Sequence, residues 1–413
     1  MNTTPRANRI HIAVLGRRNV GKSSFMNAFL GQEMSIVSDT PGTTTDPVEK
    51  SYELQPLGPV VIIDTAGVDD EGDLGEKRVE KTRKVLARAD VAVLICEVGV
   101  FSHFEVAIVE DLQNARVPFV ILAGKADLAD SAVLHAFVAD VSARFEQVPV
   151  LPFSVQNPKD IERVKDALVR LAKARGEELP ILADLVTPLA VVVLVVPIDK
   201  EAPQGRLILP QVQTLRELLD ANVSAVVVKE RELAYTLRYV LQQPPALVVT
   251  DSQAFAQVAA EVPPEVPLTS FSILFARHKG DLTEAVRGVR AISQLHDGSR
   301  ILIAEACSHR PISEDIGRVK LPRWLSSFTG ANLVFDVRAG HDFPDSLNEY
   351  DLVIQCGGCM VNRAAMLARF RRAREQGVAI TIYGVAIAYL HGILPRAIRM
   401  FPEALAVWES HSL

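Results

Sequence analysis

The stretch Gly16-Arg17-Arg18-Asn19-Val20-Gly21-Lys22-Ser23 fits the phosphate-loop pattern G-x-x-x-x-G-K-[ST] at every fixed position, and it constrains the fold more than any other part of the chain. Such a loop works only between a strand and a helix. Ile10 to Leu15 upstream has buried-strand character, and Ser24 to Leu30 downstream reads as the first turns of a helix. The glycines let backbone N–H groups close around a polyphosphate, and the helix N-terminus adds its positive end. Lys22 reaches the terminal phosphates, and the Ser23 hydroxyl is placed to ligate Mg²⁺. The candidate phosphate-binding residues are Gly16, Asn19, Val20, Gly21, Lys22, Ser23 and Ser24. A nucleoside triphosphate is the expected ligand. The plain alternative, a glycine-rich turn with a stray lysine, does not account for the strand-loop-helix setting.

At 413 residues the chain has room for about two or three domains, each with its own core. A formal charge of −6 counts against a broad nucleic-acid-binding face. Four cysteines (Cys96, Cys307, Cys356 and Cys359) in so long a chain, with no N-terminal apolar segment, point to a reducing cytoplasm rather than a disulfide framework. The most apolar run, Leu189 to Pro197, is too short to cross a bilayer. The expectation is a soluble cytoplasmic protein that engages neither nucleic acid nor membrane.

Residues 1–176 alternate strand-like and helix-like segments as a doubly wound α/β domain does. The pattern predicts strands at Val48 to Leu57, Pro59 to Asp64, Val91 to Cys96, Pro118 to Ala123 and Val148 to Phe153. Helices are expected over 75–88, 103–115, 131–145 and 158–174. Short, nearly continuous apolar runs suit central parallel strands, so function is expected at their C-terminal ends. In Pro41-Gly42-Thr43-Thr44-Thr45-Asp46 a threonine hydroxyl can complete the Mg²⁺ shell. Asp64-Thr65-Ala66-Gly67 supplies a carboxylate that holds Mg²⁺ through water and a glycine N–H for the γ-phosphate. In Gly124-Lys125-Ala126-Asp127, the Asp127 carboxylate can accept from the N1 and N2 donors of guanine, which adenine lacks. Ser154 is placed to brace the base loop. Each short motif is weak alone, but in this order and spacing they support one another, and GTP is the expected nucleotide.

Residues 10–174 with these motifs resemble the Era- and TrmE-type GTPases. The resemblance places the magnesium threonine at Thr44 and makes Lys22, Thr44 and Gly67 the catalytic set. It puts Asn19 where potassium-activated members hold a K⁺ ion. Val68 follows D-T-A-G where Ras-like enzymes carry a water-orienting glutamine, which implies slow intrinsic turnover. Gly124 replaces the asparagine of N-K-x-D that bonds the base and braces the phosphate loop, so binding weaker by about 1–2 kcal/mol is expected.

Beyond a Pro-punctuated connection, residues 177–266 read as a small α/β unit with no catalytic cluster, suited to self-association through an unmatched sheet edge or helix face. Glu261 to Pro267 marks the expected second boundary. Residues 267–413 form a third α/β layer structure. There a strand from Arg300 to Ala306 ends at Cys307-Ser308-His309, and one from Tyr350 to Gln355 ends at Cys356-Gly357-Gly358-Cys359. The glycines free the backbone to wrap a metal or cluster. Cys96, inside a strand pattern, reads as a buried free thiol. A thioredoxin-like C-x-x-C leaves the extra Cys-x-His unexplained. Structural zinc on Cys307, His309, Cys356 and Cys359 and an iron–sulfur cluster on the three thiolates both fit, and spacing does not separate them.

A GTPase, an α/β connector and then C-x-H and C-x-x-C resemble the HydF family, the maturation GTPases of [FeFe]-hydrogenase, over nearly the whole chain, including Glu314 to Trp324. The resemblance implies a [4Fe–4S] cluster on Cys307, Cys356 and Cys359 with an exchangeable fourth iron position. His309 is its nearest candidate ligand, with Glu314 and Asp315 as oxygen donors. Where the family pattern reads His-Cys-x-x-Cys, this chain has Gln355. Also implied are a scaffold and carrier role for a diiron precursor, a homodimer built mainly through the middle domain, and hydrogenase and radical-SAM maturation proteins as partners.

Overall fold

The computed structural model describes residues 5–31, 48–65, 82–174, 179–197, 207–306, 315–340 and 342–410. The chain divides into two compact units, Met1–Glu177 and Glu178–Leu413.

In the first unit six strands, β1 (Ile10–Leu15), β2 (Val48–Leu54), β3 (Gly58–Asp64), β4 (Val91–Glu97), β5 (Phe119–Gly124) and β6 (Val150–Pro152), lie in the order β2-β3-β1-β4-β5-β6. Only β2 runs antiparallel to its neighbour. The apolar runs are continuous because both faces of the sheet are covered. Ala13, Leu15, Ile63, Leu94 and Cys96 pack on one face against Ile108, Val109 and Leu112 of α2 (His103–Asn114) and Phe137 and Val141 of α3 (Ser131–Arg144). Ile12, Val14, Ile62, Val93 and Ile95 pack on the other against Phe25, Met26 and Phe29 of α1 (Lys22–Leu30) and Val164, Ala167 and Leu168 of α4 (Pro158–Ala174). Each fully buried large side chain contributes about 1.5–3 kcal/mol, so the two layers hold β1 and the loop that leaves it firmly in place. Of the helix expected over 75–88, residues 82–88 are described; 82–86 are helical, and 87 and 88 form a turn.

The second unit carries two four-stranded, all-parallel sheets. The first is formed by β7 (Val191–Val195), β8 (Ser224–Val228), β9 (Leu247–Thr250) and β10 (Leu268–Ser270) in the order β10-β9-β7-β8. The second is formed by β11 (Arg300–Ala304), β12 (Val334–Arg338), β13 (Leu352–Gln355) and β14 (Ala379–Ile382) in the order β12-β11-β13-β14. One buried apolar core runs from Ile181 to Ala404 through both. The boundary expected at residue 266 falls inside the first sheet, since Leu268 and Ser270 pair with Val248 and Thr250. The Pro-rich segment before it is a tight return to the sheet, not a linker. Arg396 fastens it by donating to the carbonyls of Ala259, Val262 and Pro263.

Residues Glu230–Val240 form an irregular helical segment, with a 3-10 turn at Glu230–Glu232, an α turn at Leu233–Tyr235 and a π turn at Thr236–Val240. It exposes Tyr235 and Tyr239 at 64% and 66%, with ring centroids 5.2 Å apart. Among the described residues no helix is long and apolar enough to cross a membrane.

Candidate functional site

Gly16 turns out of β1 with φ +144°, and a Cβ there would lie 2.5 Å from the Ile95 carbonyl oxygen, so only glycine fits. Asn19 (φ 60°) and Gly21 (φ 105°) take left-handed conformations, and Gly21 caps α1. Lys22 Nζ donates to Gly16 O at 2.9 Å and Arg17 O at 2.6 Å, which closes the loop on its own lysine. Asn19, Ser23 and Ser24 are exposed on this loop, whereas Val20 is buried beneath it.

Register brings the next motif alongside. Val14 of β1 pairs with Asp64 of β3, and Thr65 Oγ1 donates to Val14 O at 2.7 Å. Burial pushes the Asp64 carboxyl above its ordinary value, with Lys22 and Lys50 pulling it back. Its Oδ1 is buried with no hydrogen-bond partner among the described residues. A buried carboxylate oxygen left over beside the phosphate-loop lysine is a donor set that suits a hydrated Mg²⁺. Thr44, Gly67 and Val68 lie outside the described residues.

At the far end of the same sheet edge, Lys125 is left-handed (φ 57°) and its Nζ donates to Glu97 Oε2 at 3.0 Å. Ala126 N–H donates to Phe153 O at 3.2 Å, which ties this loop to the one after β6. Asp127 is exposed. Ser154 is buried within its own loop, its N–H donating to Asp160 Oδ2 and its Oγ accepting from Gln156 N–H. The phosphate loop, Asp64, Lys125, Asp127 and Ser154 thus share one edge of one sheet. Asp127→Asn is expected to move the GTP-to-xanthosine-triphosphate affinity ratio by at least about tenfold, since one donor–acceptor pair reverses. Competition binding measures it, and an unchanged ratio places residue 127 away from the base.

The second candidate site lies at the C-terminal ends of β11 and β13. Ala304 pairs with Gln355, and Ala306 N–H donates to Cys356 Sγ at 3.0 Å. The residue before Cys307 therefore touches the sulfur of Cys356. Cys307, His309 and Glu314 themselves lie outside the described residues. Gly358 is left-handed (φ 66°), and Cys359 is half-buried. Burial pushes the Cys356 thiol up to about 11 against the lowering effect of the Gly358 and Ala306 N–H groups. Cys359 is pushed up by burial and pulled back by Lys279. Burial likewise pushes Cys96 far up, which suits its reading as an inert core thiol. Among the described residues no three His, Cys, Asp or Glu side chains converge on one point.

Three family models match successive stretches of the chain. They are a 50S ribosome-binding GTPase over residues 11–125, a hydrogen maturase F dimerization domain over 181–280 and a hydrogen maturase F tetramerization domain over 283–400. The chain belongs to the hydrogen maturase F family. Its first domain is a GTPase domain. GTPase Der of Wolinella succinogenes is 32% identical over 178 residues, 41% of this chain and 37% of that protein. The tRNA modification GTPase MnmE of Caldicellulosiruptor saccharolyticus is 37% identical over 119 residues, 29% of this chain and 26% of that protein. The chain spans less than two fifths of the length of either. A crystal structure of Era from Aquifex aeolicus is similar at 19% identity and a TM-score of 0.35, covering 53% of this chain and 93% of that one.

In this maturase F chain the residue before Cys356 has a definite task. Gln355 is fully buried, and its Oε1 accepts from Arg369 Nη1 at 2.7 Å. A guanidinium only donates, so the amide NH₂ is turned toward Cys356, 3.3 Å from its carbonyl oxygen and 3.5 Å from its sulfur. Arg369, Lys279 and the ion pair of Glu305 with Arg318 carried no spacing signal in the sequence, because each acts across the fold. The buried Glu305 accepts from Arg318 Nη2 at 2.8 Å and so ties together the described residues on either side of 307–314. Asp315, a fourth-ligand candidate, caps the π turn Ile316–Lys320 by accepting from Arg318 N–H at 2.8 Å.

Proposed function

We propose that this chain binds and hydrolyses GTP and carries a [4Fe–4S] cluster, and that it assembles and delivers the diiron precursor in [FeFe]-hydrogenase maturation. The reading rests on the sulfur of Cys356 meeting Ala306 N–H across two adjacent parallel strands, each followed in sequence by a cysteine motif. Cys307, Cys356 and Cys359 would hold the cluster, which supplies an iron position open to exchange. Backbone N–H groups, the Gln355 amide and the nearby Arg369 and Lys279 offset the negative charge of thiolates and sulfides. At the nucleotide, Lys22 neutralises the phosphates, Ser23, Thr44 and Asp64 would hold Mg²⁺, and Gly67 would present its N–H to the γ-phosphate. The open edge strand β8 and the exposed Tyr235 and Tyr239 suit a homodimer through the middle domain. Hydrogenase and radical-SAM maturation proteins are the partners this role requires, in the cytoplasm.

Anaerobically purified protein is expected to be coloured and to contain iron and acid-labile sulfide in about equal amounts, as a cubane cluster requires. Stoichiometric zinc without sulfide would overturn the carrier reading. Turnover in K⁺ is expected to exceed turnover in Na⁺ severalfold, because Asn19 stands exposed on the phosphate loop. Equal rates in the two salts remove that role.

A further inference from the structure

The phosphate loop holds Gly16, Asn19 and Gly21 at positive φ within six residues, a shape that a free chain seldom visits. Something must hold it. On one side, at the end of β5, Gly124 contributes no side chain to do so. A Cβ there would lie 3.2 Å from Cys96 O, 3.3 Å from Ile95 Cγ2 and 3.9 Å from Val20 O, so the position looks across the end of β4 at the loop's own backbone.

On the other side Arg17, the second residue of the loop, makes a two-pronged pair with Glu105 in the first turn of α2. Its Nε donates to Oε1, and its Nη2 donates to Oε2 at 2.8 Å and to Ser102 Oγ. Its guanidinium carbon lies 4.9 Å from the centroid of Phe104. The Glu105 side chain is only 2% exposed, and its Oε2 also accepts the Ser102 N–H at 2.7 Å as part of the helix cap. An ion pair on a buried carboxylate that the helix start already fixes in place is far stiffer than a surface pair.

We propose that Arg17 and Glu105 are positioning residues that hold the phosphate loop in its nucleotide-binding shape, supplying from α2 the bracing that residue 124 does not. The proposal rests on the GTP-binding reading of residues 16–23. A loop that is correctly shaped for only a fraction of the time binds weaker by that fraction. The deficit falls alike on every nucleotide that uses the loop, whatever its base.

The test is a cycle on the full chain with fluorescent GDP and GTP analogues. Arg17→Met keeps a side chain over Phe104 but removes the pair. It is expected to weaken GTP, GDP and xanthosine triphosphate by the same factor, roughly 10-fold or more, and to lower the unfolding temperature as well, because the buried Glu105 carboxylate loses its cation. Gly124→Asn alone should change affinity by less than about 2-fold, since the loop is already held and the new side chain is tight against Cys96 O. In the Arg17→Met background the same Asn should recover several-fold, a coupling that a merely structural loss would not show. Should Arg17→Met misfold, Arg17→Lys, which keeps charge but not the fork, is expected to give an intermediate loss. Wild-type affinity in both Arg17 variants, or the same Gly124→Asn effect in both backgrounds, overturns the proposal. If the unaltered protein binds no nucleotide, the GTP reading itself fails, and that outcome is distinct from the other two.

Discussion

Cys356→Ala and Cys359→Ala are each expected to lose most of the iron and sulfide that the unaltered protein holds, while the second unit stays folded. Cys356 is buried where β13 ends, and its sulfur accepts the N–H that leads into Cys307. Removing it takes away a ligand and leaves that N–H facing a gap. Two remaining thiolates hold a cubane poorly, because a cluster needs a ligand at nearly every iron. The fold should survive because Ile301, Leu302, Ile303, Val353 and Ile354 bury themselves without help from the sulfurs. Iron and sulfide assays with far-ultraviolet circular dichroism on the same samples separate the two effects. Full iron retention in Cys356→Ala would contradict the assignment of that thiolate.

Lys22→Ala is expected to reduce GTP hydrolysis by about 10²-fold or more, the scale on which a preorganised charge at the transferring phosphoryl group acts. The lysine is buried, donates to both Gly16 O and Arg17 O, and lies close enough to Asp64 to counter part of the effect of its burial. Its loss removes charge stabilisation and also opens the loop. Metal content should be unchanged, since Cys307, Cys356 and Cys359 belong to the other unit. Phosphate release at saturating GTP and iron assay on one preparation test both halves of this expectation. Loss of iron together with hydrolysis would show that the two units are not independent.

What the sequence made legible follows from range. The phosphate loop and the central strands were readable because their signals are local: fixed glycines, and apolar runs that both faces of a sheet must cover. The edge strand β12 escaped, since Val334 to Arg338 is only partly buried and carries two charged residues in five. Prolines near residue 265 read as a boundary, yet Leu268 to Ser270 beyond them complete the middle sheet. The surroundings of the sites were least legible of all. Arg17 and Glu105 are 88 residues apart, and Glu305 and Arg318 are 13 apart, on either side of 307–314, so only the folded register reveals either pair.

The contact between Ala306 and Cys356 spans 50 residues of sequence. A ribosome makes the chain from its N-terminus, so Ala306 waits for the whole of β12 and β13 before its partner exists. Zinc fingers gather ligands from a few neighbouring residues and fold around the ion as it arrives. The contact here instead forms only when the parallel pair β11 and β13 has closed, late in synthesis. On the cluster reading proposed above, metal would enter an already folded site, and loading would be a separate event that the cell could time and repeat.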